Sequence, residues 1–461
     1  MIHSHQRAAL SVRAFALACA ALVLSGLGAS GPGRDVPRGP RPDRRSDAPR
    51  IRPLGRAALP AASGRRYAED RVLVTFRAGF AVRSIGPTLE AYGARSLASV
   101  PRAGFHVVAV PEGVSAAAFI AALDRNPDVA SARPDPIVRI SVRPNDKYFG
   151  DQYALSNSGQ VLDDLPGQPQ ATAGADINAT GAWDETKGDS GVIIAVLDTG
   201  VELSHPDIKN KIVSPGRDFV GGGPDASDDL WHGTHVAGIA AAETNNELGI
   251  AGVGWDCNVL PGKIIAASGE GDYGALILAI YWAVDQGAGV INLSLGGEAR
   301  DDDLLAALKY AYEHNVVVVA AAGNEAGPVL YPAAYDQYCL AVAATDYGDH
   351  RADFSNKGSE IDVAAPGVDV LSLYPTWDTP EGFAPYVYAN GTSMATPHVA
   401  GLAALLKSLK PRLTAGEIMN IIRYSADDVN ATAFPGNDDE LGYGRINAER
   451  ALAPYELKTS K

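Results

Sequence analysis

Three polar side chains sit where apolar segments end or helices begin, and their types suit attack by an activated hydroxyl on a carbonyl carbon. Asp198 closes the apolar run 194–197, at the carboxyl end of an expected buried strand, where open parallel sheets hold their ligands. His232 opens the stretch 232–238, whose Gly and Ala content predicts a closely packed helix. Ser393 precedes the apolar helical run 399–406, so a helix start surrounds it with unpaired backbone N–H groups and a dipole that favours developing negative charge. Singly, each has an ordinary reading: a turn cap, a capping or core histidine, an N-cap serine. As a set they complement one another. A hydroxyl is a poor nucleophile until a base takes its proton, and the imidazole needs an acid to fix its tautomer and steady the imidazolium. His232 and His235 also stand three apart, but no Glu lies between them as in a zinc metalloprotease helix.

The order acid, imidazole, hydroxyl is that of subtilisin, and the segments carry the likeness further. Asp198-Thr199-Gly200, His232-Gly233-Thr234-His235 and Gly391-Thr392-Ser393-Met394-Ala395 resemble the three signatures of the subtilisin family of serine proteases, over residues 145–453. Pro144-Asn145-Asp146-Lys147-Tyr148-Phe149 resembles its thermitase branch. The resemblance implies a serine endopeptidase that hydrolyses peptide bonds through an acyl-enzyme, with Asp198, His232 and Ser393 as its triad. It assigns Asn324, in Gly323-Asn324-Glu325 after an apolar strand, to the oxyanion hole beside the Ser393 N–H. It also implies that residues 269–274 and 292–297 line the cleft and pair with substrate as an added strand, through Gly269, Gly271, Ser294, Leu295 and Gly296. Two Gly-rich turns are the plainer reading of those segments. A primary pocket walled by Ala321, Ala322 and Gly323 and floored by Leu330 implies apolar side chains before the cut.

Residues 269–274 also satisfy a dinucleotide-binding glycine pattern, but Ser294 stands where its acid should follow, so a nucleotide is not expected. A structural calcium ion is implied instead. Its expected ligands are the carboxylates of Asp146 and Asp207, the Asn246 amide oxygen, and the main-chain carbonyls of Thr244, Leu248 and Ile250, an all-oxygen set. A hydrogen-bonded loop without metal is the alternative.

The elements that must position these residues follow from periodicity. Apolar runs at 192–197, 264–265, 290–293, 316–321 and 340–344 are continuous instead of alternating, as in strands covered by helices on both faces. With the resemblance, this predicts a three-layer α/β/α subtilisin-like domain with a mainly parallel seven-stranded sheet over residues 141–461. Residues 69–140 predict a smaller α+β unit in the order β-α-β-β-α-β, ferredoxin-like, with strands near 72–76, 105–110 and 129–132 and helices near 85–92 and 115–123. It resembles the inhibitor-like propeptide of these proteases, which implies a chaperone and temporary intramolecular inhibitor removed by self-cleavage between about Asp135 and Asn145.

Composition sets outer bounds. The 461 residues are 46% hydrophobic, ample for a sizeable core. Residues 1–30 read as a signal peptide, Arg7 and Arg13 ahead of an apolar run that is too short for a bilayer. Residues 31–68 are crowded with Pro and Arg and read as a disordered linker. Residues 1–140 hold 20 Arg, no Lys and 10 acids, a balance of +10; the whole chain carries −15, which leaves −25 for the rest. Such an acidic surface excludes a nucleic-acid partner, whose phosphates need Lys and Arg. Cys19 falls within the apolar leader, and Cys257 and Cys339 read as buried free thiols more than as a pair. The expected product is secreted, extracellular and monomeric, with no membrane anchor, acting on polypeptide substrates. Broad specificity, a narrow processing role and a catalytically silent peptide-binding protein remain open.

Overall fold

A computed structural model describes residues 67–136, 142–162 and 165–453. The expected signal peptide and the expected linker up to residue 66 lie outside the described residues, as does the middle of the expected cleavage region. The last two residues assigned to the linker, Tyr67 and Ala68, instead open a strand in which Tyr67 pairs with Pro136.

The N-terminal unit follows the predicted element order: β1 (Tyr67–Phe76), α1 (Val82–Glu90), β2 (Ser96–Val100), β3 (Phe105–Ala109), α2 (Ala116–Leu123) and β4 (Val129–Pro136). Its sheet runs β2-β3-β1-β4, antiparallel throughout. Ser115 caps α2 by accepting the Ala118 N–H (3.2 Å), which satisfies one of the helix's orphan donors. Val72, Val74, Leu89, Val108, Phe119 and Leu123 form a small core between sheet and helices. Strand β2 was not legible in the sequence. It is an edge strand exposed over most of its length, so its side chains carry no apolar alternation.

The C-terminal sheet holds β5 (Ile193–Asp198), β6 (Arg217–Asp218), β7 (Asn258–Lys263), β8 (Val290–Leu293), β9 (Val317–Ala321), β10 (Cys339–Thr345) and β11 (Val363–Pro366). Their order is β11-β10-β9-β8-β5-β7-β6, and every pairing is parallel. Alternate residues of each strand enter different cores. Ile194 and Val196 of β5 join Val317 and Val319 on one face, while Ala195 and Leu197 join Val318 and Ala320 on the other. The first face packs against α3 (Ala179–Glu185), α4 (His232–Ala241), α7 (Thr392–Leu409), α8 (Ala415–Ser425) and α9 (Ala448–Leu452). The second packs against α5 (Tyr273–Asp285) and α6 (Asp302–Glu313). This double coverage is why the strands are apolar on both sides, each buried Val or Leu contributing about 1.5–3 kcal/mol.

The strand expected at Ile264 and Ile265 lies elsewhere, since β7 ends at Lys263. Pro261 and Gly262 disguise it as a loop, but β6 pairs with only Gly262 and Lys263, so Pro261 interrupts no ladder there. Ile264 and Ile265 instead donate their N–H groups to the Asp198 carbonyl (2.8 and 3.1 Å). A separate hairpin joins β12 (Val370–Leu373) to β13 (Tyr386–Ala389). The loop between them is closed by a turn from Phe383 N–H to the Pro380 carbonyl (3.1 Å).

Candidate active site

Asp198 is the last residue of β5 and is fully buried. Its Oδ1 accepts the Thr199 N–H (2.7 Å) and pairs with His232 Nδ1 (2.7 Å), while Oδ2 is buried without a partner. His232 is the first residue of α4 and keeps 21% of its side chain exposed. Burial pushes its imidazole pKa down, but the charge of Asp198 and its hydrogen bond outweigh that, with Asp228 adding a little, and leave it above the ordinary value. Glycine is required next in the chain. A Cβ on Gly233 would lie 2.0 Å from the Gly200 carbonyl oxygen and 3.1 Å from the Asp198 Cβ.

The loop before α4 is gathered around the buried Asp228 carboxylate. It accepts from Thr199 Oγ1 (2.8 Å), the Leu230 and Trp231 N–H groups (2.9 and 3.0 Å), and both N–H and Oγ1 of Thr234 (3.0 and 2.6 Å). Lys263, at the end of β7, adds a second tie. Its ammonium reaches the carbonyls of Thr199 (2.8 Å) and Ile265 (3.0 Å) and the Asp229 carboxylate (2.6 Å). Sequence reasoning passed over both residues. Asp228 lies four positions ahead of His232, a spacing that could have drawn notice, whereas Lys263 has no local signal.

Ser393 sits in the first turn of α7 and is 9% exposed. Pro397, one turn on, has no N–H to return to the Ser393 carbonyl. That carbonyl is taken instead by Ser294 Oγ (2.8 Å), which in turn accepts from Asn292 Nδ2 (3.0 Å). Reciprocally, the Ser393 hydroxyl donates to the Ser294 carbonyl (3.0 Å). Among the described residues no hydrogen bond joins Ser393 to His232, so the contact expected between them is not formed in this state. The hydroxyl has a main-chain acceptor at hand, and catalytic hydrogen bonds often tighten only once substrate is bound.

Asn324 follows β9 by three residues. Its Oδ1 accepts the N–H and Oγ1 of Thr392 (2.8 and 3.0 Å), the residue before Ser393. The amide nitrogen is thereby turned outward, 3.6 Å from where a Cβ on Gly391 would stand. The cleft residues also converge. Leu330 packs so closely that a Cβ on Gly296 would come within 2.8 Å of it and one on Gly323 within 2.9 Å. Gly297 and Tyr331 exchange both backbone hydrogen bonds (2.8 and 2.9 Å), Ala321 is buried at the end of β9, and Ser294 and Leu295 directly follow β8. Gly271 bridges Ile265 just ahead of α5, with Gly269 in the turn at φ 82°. His235 has its Nε2 near the Val387 carbonyl (3.1 Å). Cys257 and Cys339 are buried and unpaired.

Of the expected calcium ligands, the structure shows two buried acids surrounded by hydrogen-bond donors, while the Leu248 carbonyl accepts the Lys147 N–H (3.3 Å). Both oxygens of Asp146 accept the Asn245 N–H (3.0 and 2.8 Å). Asp207 accepts from Asn246 Nδ2 (2.7 Å), the Ile250 N–H (3.0 Å) and the Tyr386 hydroxyl (3.3 Å). Burial raises both carboxyl pKa values, Asp207 to about 6, with the Asp146 charge adding to the latter. No cationic side chain forms an ion pair with either acid among the described residues, and a divalent ion would offset that deficit. The Asn246 amide, however, turns its nitrogen to Asp207 while its oxygen accepts the Leu248 N–H (2.8 Å).

Comparison with known proteins gives two matches along the chain. Residues 189–444 match the subtilase family and residues 54–135 the fervidolysin N-terminal prodomain. A thermophilic serine proteinase of Bacillus sp. (strain AK1) is 40% identical over 84% of this chain and 88% of its own. Thermitase of Thermoactinomyces vulgaris is 43% identical over 60% of this chain and 93% of its own. Among solved structures, a protease from Pseudoalteromonas arctica PAMC 21717 superimposes with a TM-score of 0.57 at 33% identity, covering 68% of this chain and 99% of that one.

Proposed function

The chain belongs to the subtilase family, a subtilisin-like serine protease with a prodomain, and on that premise we propose that Asp198, His232 and Ser393 form its catalytic triad, with Asn324 as oxyanion donor. In the proposed reaction Ser393 Oγ attacks the scissile carbonyl carbon as His232 Nε2 takes its proton. The resulting oxyanion is held by Asn324 Nδ2 and the Ser393 N–H, donors fixed before the reaction begins. Collapse of the tetrahedral intermediate expels the amine, which His232 protonates, and leaves an acyl-enzyme for water to hydrolyse by the reverse sequence. Asp198 holds the imidazole tautomer throughout. The observation that carries this reading is the 2.7 Å pairing of a fully buried Asp198 with His232, alongside an Asn324 anchored to the residue before Ser393.

The finer features belong to the same proposal. Residues 1–30 export the chain, residues 69–140 act as an intramolecular inhibitor and chaperone, and the enzyme frees itself by cutting between about Asp135 and Asn145. The peptidase domain spans 141–461 and prefers apolar side chains before the cut, a reading supported by the apolar Leu330 packing close to both Gly296 and Gly323. Calcium would be held by Asp146 and Asp207 with the carbonyls of Thr244, Leu248 and Ile250. The Asn246 oxygen would join them if its amide turned. Bound there, it would supply charge neutralisation and rigidity, not chemistry.

A serine-directed fluorophosphonate tests the core of this. It should label the mature wild-type enzyme and abolish casein hydrolysis, while Ser393→Ala should take no label and show no hydrolysis. Labelling that survives in Ser393→Ala would sink the assignment.

A further inference from the structure

We infer that Trp231 is a positioning residue that holds the His232 imidazole in place against Asp198 from a strained backbone. The inference rests on the reading of His232 as the general base. Trp231 occupies the N-cap of α4 with φ 128° and ψ −29°. The other non-glycine residues of positive φ, among the described residues, fall between 45° and 67°, in the left-handed well that side chains tolerate. Trp231 lies outside that well, where glycine is at ease and a bulky side chain is not. Its own side chain makes no cap bond, and the first donors of α4 are taken from outside the helix instead, the Gly233 N–H by Thr199 Oγ1 (2.9 Å) and the Thr234 N–H by Asp228 (3.0 Å). Local backbone preference is thus broken at the residue preceding His232, and strain of this kind persists only where the surroundings over-determine it and clusters at functional sites.

The surroundings do over-determine it. The Trp231 N–H is held by Asp228 Oδ1 (3.0 Å), and its carbonyl accepts the His235 N–H (3.1 Å). The indole stands edge-on to the imidazoles of His232 (centroids 5.7 Å apart, planes at 67°) and His235 (6.1 Å, 87°), and is tilted against Tyr374 (6.4 Å, 35°). Tyr374 is itself fixed from the hairpin side, its N–H donating to the Pro385 carbonyl (2.8 Å). What this wall restrains is a ring anchored at one end. His232 is bound to Asp198 through Nδ1, while the Ser393 hydroxyl is turned to Ser294. The side-chain rotation that would carry the imidazole off Asp198 is therefore opposed by the packed indole. Glycine would start the helix with less strain, but it could not supply the wall.

The experiment compares Trp231→Gly, Trp231→Phe and His232→Ala, with kcat and KM measured on an uncharged chromogenic peptide. Melting temperatures are read in a Ser393→Ala background to prevent autolysis. Trp231→Gly should keep or raise the melting temperature, because glycine relieves the strain, yet lower kcat about tenfold with KM nearly unchanged, as loss of orientation does. Trp231→Phe, which keeps an aromatic wall, should restore most of kcat. The inference is overturned if Trp231→Gly retains wild-type kcat, if its kcat falls only together with its melting temperature, or if Phe serves no better than Gly. Activity persisting in His232→Ala would instead overturn the reading of the base, which keeps the two failures distinguishable.

Discussion

At the scale of single residues, the site is governed by what each buried polar atom can find. Asp198 satisfies one oxygen twice and the other not at all. Its charge keeps the His232 imidazole above its ordinary value of 6.5 despite burial. A base must be neutral to accept a proton, so kcat/KM should climb with pH through a value above 6.5. Asp198→Asn should move that limb lower and reduce kcat on the order of 10⁴-fold, because the tautomer is no longer fixed. A pH–rate profile of both enzymes checks this, and an unshifted limb would remove Asp198 from its role. The same pair bears on stability. The raised imidazole stabilises the fold fully below the unfolded value and loses that contribution as pH rises through the folded one. The proposed triad and Asn324 could be singled out in the sequence because their segments are short, ordered and chemically complementary. Asp228, Lys263 and Trp231 could not, because their importance lies in what they touch across the fold: a five-bond carboxylate, a three-way ammonium and a strained wall.

At the scale of elements, continuous apolarity revealed the central strands and hid the marginal ones. Strands β8, β9 and β10 were read nearly in place, whereas β6 is two residues long and β11 (Val363–Pro366) has one β-branched residue followed by two Ala and a Pro, which does not mark a strand. Loops were read through resemblance more than physics, and the segment 244–250 shows the difference. Its residues do converge on Asp146 and Asp207, yet the Asn246 amide satisfies an acid and a backbone N–H within the loop itself. A cation bound here should act on stability by mass action, about 2.7 kcal/mol when its concentration is a hundredfold above Kd. In Ser393→Ala protein, a chelator should therefore lower the melting temperature by several degrees and calcium should restore it, while Asp207→Asn should blunt the response. A melting temperature indifferent to chelator would leave the loop as a hydrogen-bonded turn.

At the scale of the molecule, two folded units of different construction share one chain. The first is a four-stranded antiparallel sheet whose core is a few Val, Leu and Phe side chains, and it contains no His paired with an acid and a Ser. The second carries the reactive groups on the carboxyl ends of parallel strands and on the helix starts beside them. A small unit that precedes a protease and matches a prodomain gains a purpose if its release depends on that protease. This makes release a property of Ser393. Expressed alone, Ser393→Ala should accumulate at full precursor length less any signal segment, with the N-terminal unit covalently attached. Wild-type protein should instead yield a new N-terminus between about Asp135 and Asn145, read by mass spectrometry. Adding a trace of active enzyme to the Ser393→Ala precursor should cut it in the same region, since the segment joining the units is the same in both. Maturation of Ser393→Ala on its own, in a host lacking serine proteases, would mean that another agent performs the cut and that the prodomain is not governed by the enzyme it precedes.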